Sequence, residues 1–397
     1  MISVGVDVSK EKSTICILKP YGEIIQKPFE VNHTEKELSK LSLTLKELND
    51  DIRIVMEATG SYHLPILTYF KEQKFYVSVI NPLVMKKYCN MTLRKGKTDK
   101  LDAIKIANYG IDNWYHLKNY EVCDEVYSQL QILSHQYSRY MKLKVESKIA
   151  LINLMDRTMP GVKNLLKSNA YTPGKDKLCD FVEEYWHFDN IVNKSKEEFM
   201  DHFCEWSKNK GYRTNLAKAS TIYELAKDGI PTLDAQLPTT KLMVKEAVRV
   251  LKEISNTLDK ILSQMNELAK SLKEYDTVRS MDGVGEILAV RIIADIGDVK
   301  KFHSSKALIA YCGIDAPPHQ SGGFTASKRN ISKRGSANLR KTGYEIMQCL
   351  KALKPVDNEI YQYMLKKEAE GKASKVAKIA ALNKFLRIYY AKVKAIK

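Results

Sequence analysis

Residues 2–8 read ISVGVDV, with Ile2, Val4, Val6 and Val8 alternating and Asp7 set between two valines. Alternation of this kind predicts a half-buried strand, so a carboxylate is built into a strand at the start of the chain. The pattern continues outward. Ser13–Leu18 predicts a second strand, Tyr21–Gly22 a turn and Ile24–Val31 a third strand, while Glu35–Leu48 has helical spacing at Leu38, Leu41, Leu45 and Leu48. Asp51–Ala58 (DIRIVMEA) predicts another strand, Tyr62–Gln73 a helix, and Phe75–Ile80 a short apolar strand ended by Asn81-Pro82. A further helix begins at Asp99. The order β-β-β-α-β-α-β-α predicts an α/β domain on a mixed sheet with helical crossovers.

Three more acids stand out against this frame. Glu57 ends the fourth strand, in VMEATGSYH (55–63). Sequential meander strands leave the other edge of the first strand free for a crossover strand, so Asp7 and Glu57 are expected on neighbours. The stretch GKTDKLDAIKIA (96–107) places Asp99 and Asp102 three apart, on one helix face. Taken alone, that pair is explained by helix capping: Thr98 or Asp99 can cap the start, and first-turn carboxylates suit the helix dipole. Taken with Asp7 and Glu57, four carboxylates from three elements are expected to converge. Like charges at close range raise one another's pKa. Paired Mg²⁺ (or Mn²⁺) ions relieve this, and a two-metal clamp acts on phosphoryl groups.

Composition narrows the class. The chain has 397 residues, 44% hydrophobic and 28% charged, as expected of two or three domains with real cores. No apolar run approaches the roughly 20 residues that span a bilayer, and MISVGVDVSKEK lacks the pattern of an export signal. A membrane partner is therefore not expected. The seven cysteines contain no CxxC pair, which predicts free thiols in a reducing cytoplasm. Of the net charge of +17, most lies in residues 321–397, with 18 basic and 5 acidic side chains. Such a block is the electrostatic footprint of a nucleic-acid partner, or otherwise a solvated tail.

Residues 124–160 and 240–275 carry long helical patterns. In the second, Leu251, Ile254, Leu258, Ile261, Met265, Leu268 and Leu272 alternate spacings of three and four. That predicts a coiled-coil seam, used between subunits in a dimer or tetramer, within the chain against the earlier helix, or in both ways. Residues 161–239 are helical, with Trp186, Phe199, Phe203 and Trp206 as expected core. Residues 280–302, SMDGVGEILAVRIIADIGDVKKF, read helix, turn, helix. The amides of Gly283 and Gly285 suit a phosphate cradle, as in helix-hairpin-helix DNA binders, or a structural turn. Then comes GIDAPPHQSGGFTASKRNISKRGSANLRK (313–341), holding Ser321 beside two glycines, then Lys328, Arg329, Lys333, Arg334 and Arg340. Ser-Gly-Gly on its own reads as a loop.

The order of the acids resembles the RNase H-like fold of Holliday-junction resolvases (RuvC-like). More closely, VGVDVSK, VMEATGSYH and GKTDKLDA resemble the three N-terminal motifs of the DEDD insertion-sequence transposases, the IS-one-ten family. The 313–341 run resembles the C-terminal domain of the same family, where GLxP, SG and I-S/T-K-R-G follow a helix-hairpin-helix. The resemblance implies that Ser321 is the DNA nucleophile, forming a phosphoserine link assisted by metal-bound Asp7, Glu57, Asp99 and Asp102. It also implies a structured noncoding guide (bridge) RNA, encoded beside the gene, that pairs with donor and target DNA. Two departures are Asp282, where the family commonly has proline, and GIDAPP for GLxP.

The expected organisation is a catalytic RNase H-like domain over 1–120, a helical and coiled-coil region over 121–275, and a mainly α C-terminal transposase domain over 276–397. The expected function is a bacterial, nucleoid-associated DNA transposase or recombinase. Alternatives are a resolvase-type metal-dependent nuclease in which Ser321 is a loop residue, a site-specific invertase, and a nucleic-acid scaffold whose acids have lost their role.

Overall fold

The computed structural model describes residues 1–91, 98–121, 124–166, 174–318, 320–321, 324–325 and 330–396, with Ser321, Phe324 and Thr325 described by backbone. The chain divides into two compact units, residues 1–122 and 123–397.

The first unit runs β1 (Ile2–Val8), β2 (Lys12–Leu18), β3 (Ile24–Asn32), α1 (Glu35–Glu47), β4 (Ile52–Glu57), α2 (Leu64–Glu72), β5 (Tyr76–Ile80), α3 (Pro82–Cys89) and α4 (Asp99–Asp112). The sheet order is β3-β2-β1-β4-β5. The meander β1-β2-β3 is antiparallel, while β4 and β5 join parallel to β1. This is the mixed sheet with helical crossovers that the strand pattern predicts.

Alternation in β1 sorts its side chains onto two layers. Ile2, Val4, Val6 and Val8 join Ile54 and Met56 in a core with Leu38, Leu41 and Leu45 of α1 and Ile66, Leu67 and Phe70 of α2. The opposite face is covered by α4: Cys16 and Leu18 of β2 pack with Ala103 and Ala107, and Val55 of β4 packs with Ile106. One helix escaped the periodicity reading. α3 begins directly after the Asn81-Pro82 pair, where Asn81 caps the helix by accepting from the Leu83 amide and Pro82 takes the first turn. Proline there is well suited to a helix start, so the residues that end β5 also begin α3.

The second unit is mostly helical. Its long elements are α5 (Glu125–Thr158) and, after α6 (Val162–Leu165), α7 (Lys177–Tyr185), α8 (Asp189–Val192), α9 (Lys196–Asn209) and α10 (Leu216–Asp228), the helix α11 (Pro238–Lys270). Then follow α12 (Tyr275–Arg279), α13 (Glu286–Ile296), α14 (Ser305–Cys312), β6 (Gln320–Ser321), β7 (Phe324–Thr325), α15 (Ala337–Leu353), α16 (Glu359–Ala369) and α17 (Ser374–Ile396).

α5 and α11 pack side by side. Tyr127 and Leu130, early in α5, share a core with Met265 and Ala269, late in α11. Leu151 and Met155, late in α5, share another with Val244, Val248 and Leu251, early in α11. The pair is therefore antiparallel. Leu251, Leu258 and Met265 are buried as the seam predicts, but Leu262 and Ala269 complete it, while Ile254, Ile261 and Leu268 are half-buried. Leu272 lies beyond the helix end at Lys270. A straight α-helix drifts against a 3.5-residue repeat, which moves the buried line by one position. Phe199, Phe203 and Trp206 are buried with α7 and α10 side chains, and Trp186 packs on their edge.

Candidate active site

The site is built by the way α4 lies on the sheet. Gly5 and Gly110 make the close approach possible. A Cβ on Gly5 would collide with the backbone of Ala103 and Ala107, and one on Gly110 would collide with Ser3. Gly110 thus sits over Ser3 and the middle of α4 over Gly5, so the helix runs antiparallel to β1. Two strand residues rise about 6.6 Å, the length of some four helical residues at about 1.5 Å each. Stepping from Gly5 to Asp7 therefore brings the first turn of α4, with Asp99 and Asp102, above the end of β1.

Glu57 reaches the same place from β4. The parallel register pairs Gly5 with Val55 and Val6 with Met56, so Asp7 and Glu57 follow at one level, on the face that α4 covers. Both are half-buried, as is Asp102, whereas Asp99 is exposed. The carboxyl ends of β1, β4 and β5 open here, which is where open α/β sheets place their ligands.

The helix start resolves the capping question. Thr98 is the cap, its hydroxyl accepting from the Leu101 amide at 3.2 Å. Asp99 and Asp102 stand in the first turn without serving as the cap. The basic residues Arg94, Lys95 and Lys97 lie outside the described residues.

Cys89, at the end of α3, reports on the surroundings. Its thiol is pushed above its ordinary value chiefly by burial, with Lys105 opposing and Asp102, Glu57 and Asp7 adding to the rise. One thiol is thus within electrostatic reach of three of the four acids. Among the described residues, no three His, Cys, Asp or Glu side chains stand close enough together to hold a metal ion. The three acids share a neighbourhood without being drawn into a coordination shell. Their chemistry suits a hard divalent cation, being carboxylate oxygens with no sulfur needed. Sequence reasoning missed Lys105, which pairs with Asp102 at 3.5 Å; its i+3 spacing from that acid was the available signal.

The C-terminal residues are placed separately. Ser321 ends β6, and its backbone pairs with Phe324 of β7; Gly322, Gly323, His319, Lys328 and Arg329 lie outside the described residues. The segment between Gly313 and Ser336 is tied at its neck. The Ser332 amide donates to the Asp315 carbonyl at 2.8 Å, that of Lys333 to Gly313 at 2.9 Å and that of Ser336 to Tyr311 at 2.7 Å. Ser332 also gives its hydroxyl proton to the Asp315 carboxylate, so the acid of GIDAPP has a structural partner. Lys333 and Arg334 are exposed. Arg340 instead turns inward, its Nη1 donating to the carbonyls of Cys312 at 2.9 Å and Gly335 at 3.0 Å.

The turn at 280–285 joins α12 to α13, so its first helix precedes Ser280 and is only five residues long. Gly283 has φ of +81°, and a Cβ there would press on the α15 backbone at Ile346. Gly285 precedes α13 with open space around it. Asp282, the departure from proline, accepts from the Asn358 side chain at 2.7 Å.

A family model for DEDD transposases of the IS110 type, described as a transposase, matches residues 4–160. A second, described as the transposase IS116/IS110/IS902 family, matches residues 275–362. The pilin gene-inverting protein of Moraxella bovis is 20% identical over 98% of this chain and 95% of its own length. The transposase for insertion sequence element IS1111A of Coxiella burnetii is 35% identical over 19% of this chain and 21% of its own. Among solved structures, T. thermophilus RuvC in complex with a Holliday junction substrate aligns over 30% of this chain and all of its own, at 10% identity and a TM-score of 0.24.

The two matched segments carry the acids and the Ser321 loop respectively, and they place the chain in the class of DNA transposases and recombinases. Within that class it belongs to the IS110 family of insertion-sequence transposases.

Proposed function

We propose that this chain cuts and rejoins DNA strands through Ser321, with Asp7, Glu57, Asp99 and Asp102 as the accompanying acid site. The observation that supports this most is the placement of Asp7 and Glu57 at one level of adjacent parallel strands, under the first turn of α4.

In this reading the Ser321 oxygen attacks a DNA phosphorus. The new O–P bond forms as the bond to one DNA oxygen breaks, and the hydroxyl proton passes to a general base. A serine hydroxyl is a weak nucleophile at neutral pH and needs such a partner. Rejoining reverses the exchange: a DNA hydroxyl attacks the phosphoserine and the serine leaves with its proton restored. Asp7, Glu57, Asp99 and Asp102 would hold Mg²⁺ or Mn²⁺, which when bound supplies Lewis-acid stabilisation of phosphoryl charge. Lys333 and Arg334, with Lys328 and Arg329, would hold the DNA backbone, and the Gly283–Gly285 turn would offer amides to a phosphate as in a helix-hairpin-helix.

The reading extends to partners. A structured noncoding RNA would select donor and target, and the basic residues after Ser321 suit either nucleic acid. Handling two duplexes calls for a dimer or tetramer, to which the outer face of the α5–α11 pair would contribute as a coiled coil. The work is divided between a catalytic region (1–120), a helical region (121–275) and a C-terminal transposase region (276–397), acting on the bacterial nucleoid. A site-specific invertase would use the same chemistry, and the M. bovis relative favours keeping that reading.

The test is incubation of the protein with its flanking DNA, with and without the adjacent transcript, followed by denaturing gels. A covalent protein–DNA adduct and joined strands are expected. Cleavage with no adduct would favour a water-activating nuclease of resolvase type.

A further inference from the structure

The acid cluster contains a cation of its own. Lys105 lies one turn after Asp102 on α4, with its Nζ 3.5 Å from Asp102 Oδ1. Their side chains are 21% and 24% exposed respectively, so the pair is more sheltered than an ordinary surface ion pair. The i, i+3 spacing keeps both groups on one helix face, and α4 itself packs on β1, β2 and β4. Asp7 and Glu57 come up from the sheet beneath it.

Asp7, Glu57 and Asp102 are all half-buried in this neighbourhood. Lys105 is the cation seen paired with one of them. The Cys89 thiol registers the same grouping, with Lys105 acting against Asp102, Glu57 and Asp7. Asp102 meets Lys105 within its own helix, and among the described residues no three His, Cys, Asp or Glu side chains stand close enough together to hold a metal ion.

We propose that Lys105 is a positioning residue of the acid site, holding Asp102 through its ammonium until a divalent cation takes its place. Loading then requires Asp102 to exchange Lys105 for the metal, so Lys105 sets the metal affinity of the site. The released ammonium stays on α4 beside the site. This inference rests on the reading of the four acids as a metal site.

The test measures Mn²⁺ binding to the full-length protein, by titration calorimetry and by the loss of the free-ion paramagnetic resonance signal. Wild type is compared with Lys105→Met, Lys105→Arg and Asp7→Asn. Lys105→Met keeps the apolar stem and removes the charge. It should bind Mn²⁺ more tightly by roughly fivefold, the worth of one modest ion pair. In EDTA it should melt below wild type, because Asp102 has lost its paired ammonium, and Mn²⁺ should raise its melting point more than it raises that of wild type. Lys105→Arg should restore the wild-type affinity. A merely structural lysine would lower the melting point without tightening metal binding. Saturable Mn²⁺ binding that is unchanged or weaker in Lys105→Met, with the wild-type circular dichroism spectrum retained, would overturn the role of Lys105 alone. Absence of Mn²⁺ binding in wild type, or binding undiminished in Asp7→Asn, would overturn the metal-site reading and this inference with it.

Discussion

Asp7 on β1 and Glu57 on β4 stand at the same level of two adjacent parallel strands, on the sheet face that α4 covers. Neither residue is near the other in the chain, and the forty-nine residues between them build the rest of the meander, a helix and the crossover. Carboxylate oxygens of this kind suit a hard divalent cation and add no apolar packing.

Replacing either should therefore remove chemistry more than structure. Asp7→Asn and Glu57→Gln should each lower strand cleavage by at least the roughly hundredfold typical even of outer-shell metal partners. DNA and RNA affinity should change little, as measured by gel shift at fixed salt. Cleavage by wild type should stop in EDTA and return with Mg²⁺ or Mn²⁺. Cleavage that persists in EDTA would remove the acids from the mechanism.

The packing of α4 makes a separate prediction. Gly5→Ala inserts a methyl group where the backbone of Ala103 and Ala107 already stands. Overpacking of this kind costs about 1–3 kcal/mol, read as a lower urea midpoint. Because the helix must move away from β1, cleavage should fall further than stability alone explains at temperatures where the variant remains folded. Gly110→Ala, which meets Ser3 and Val55, should destabilise in the same direction.

Ser321→Ala should leave folding and nucleic-acid binding intact and abolish the covalent adduct on denaturing gels. Removing one hydroxyl from the end of β6 takes nothing from the backbone pairing with β7. Adducts of undiminished yield would show that another residue attacks.

The basic residues after Ser321 should separate into two kinds. Lys333→Ala and Arg334→Ala remove exposed charges and should each weaken DNA binding evenly across sequences, lowering the salt slope by about 1. Arg340→Gln removes the donor shared by the Cys312 and Gly335 carbonyls. It should cost about 1–3 kcal/mol, the penalty of unpaired buried polar groups, and raise hydrogen exchange at the neck of the loop.

A buried carboxylate in the second unit gives a pH prediction. Asp295 on α13 accepts from Ser134 at 2.9 Å and Thr342 at 2.7 Å. Burial raises its pKa, and the two hydroxyls only partly offset this. The folded state thus holds this proton more tightly than the unfolded state. The stability tied to Asp295 is fully present below the ordinary aspartate value and is lost as pH rises through the raised one. Asp295→Asn should remove that loss. Urea unfolding of variant and wild type between about pH 4 and pH 7 should show the difference moving in the variant's favour as pH rises. A constant difference would show that Asp295 binds its proton equally in the folded and unfolded states.

By itself the sequence determined the parts of this protein that depend on near neighbours. Alternation at Ile2, Val4, Val6 and Val8 made a strand with one dry face, and Thr98 before a pair of first-turn acids made the start of α4. Residue types carried the proposed chemistry: carboxylates suited to a hard cation, a glycine-flanked serine, a basic C-terminal block. Motif order carried the family. Tertiary structure alone decided which of these meet. Periodicity states which face of a strand is buried, never which helix buries it, so the antiparallel run of α4 along β1 rests on Gly5 receiving Ala103 and Ala107 and on Gly110 receiving Ser3, about a hundred residues away in the chain. That contact brings Asp102 over Asp7 and brings Lys105 with it. The heptad of α11 likewise predicts a partner without naming it, and the fold supplies α5 from the same chain. Arg340 was indistinguishable in sequence from Lys333 and Arg334. It turns inward because two carbonyls at the loop neck need a donor, and no pattern of charges along a chain records where buried carbonyls will lie.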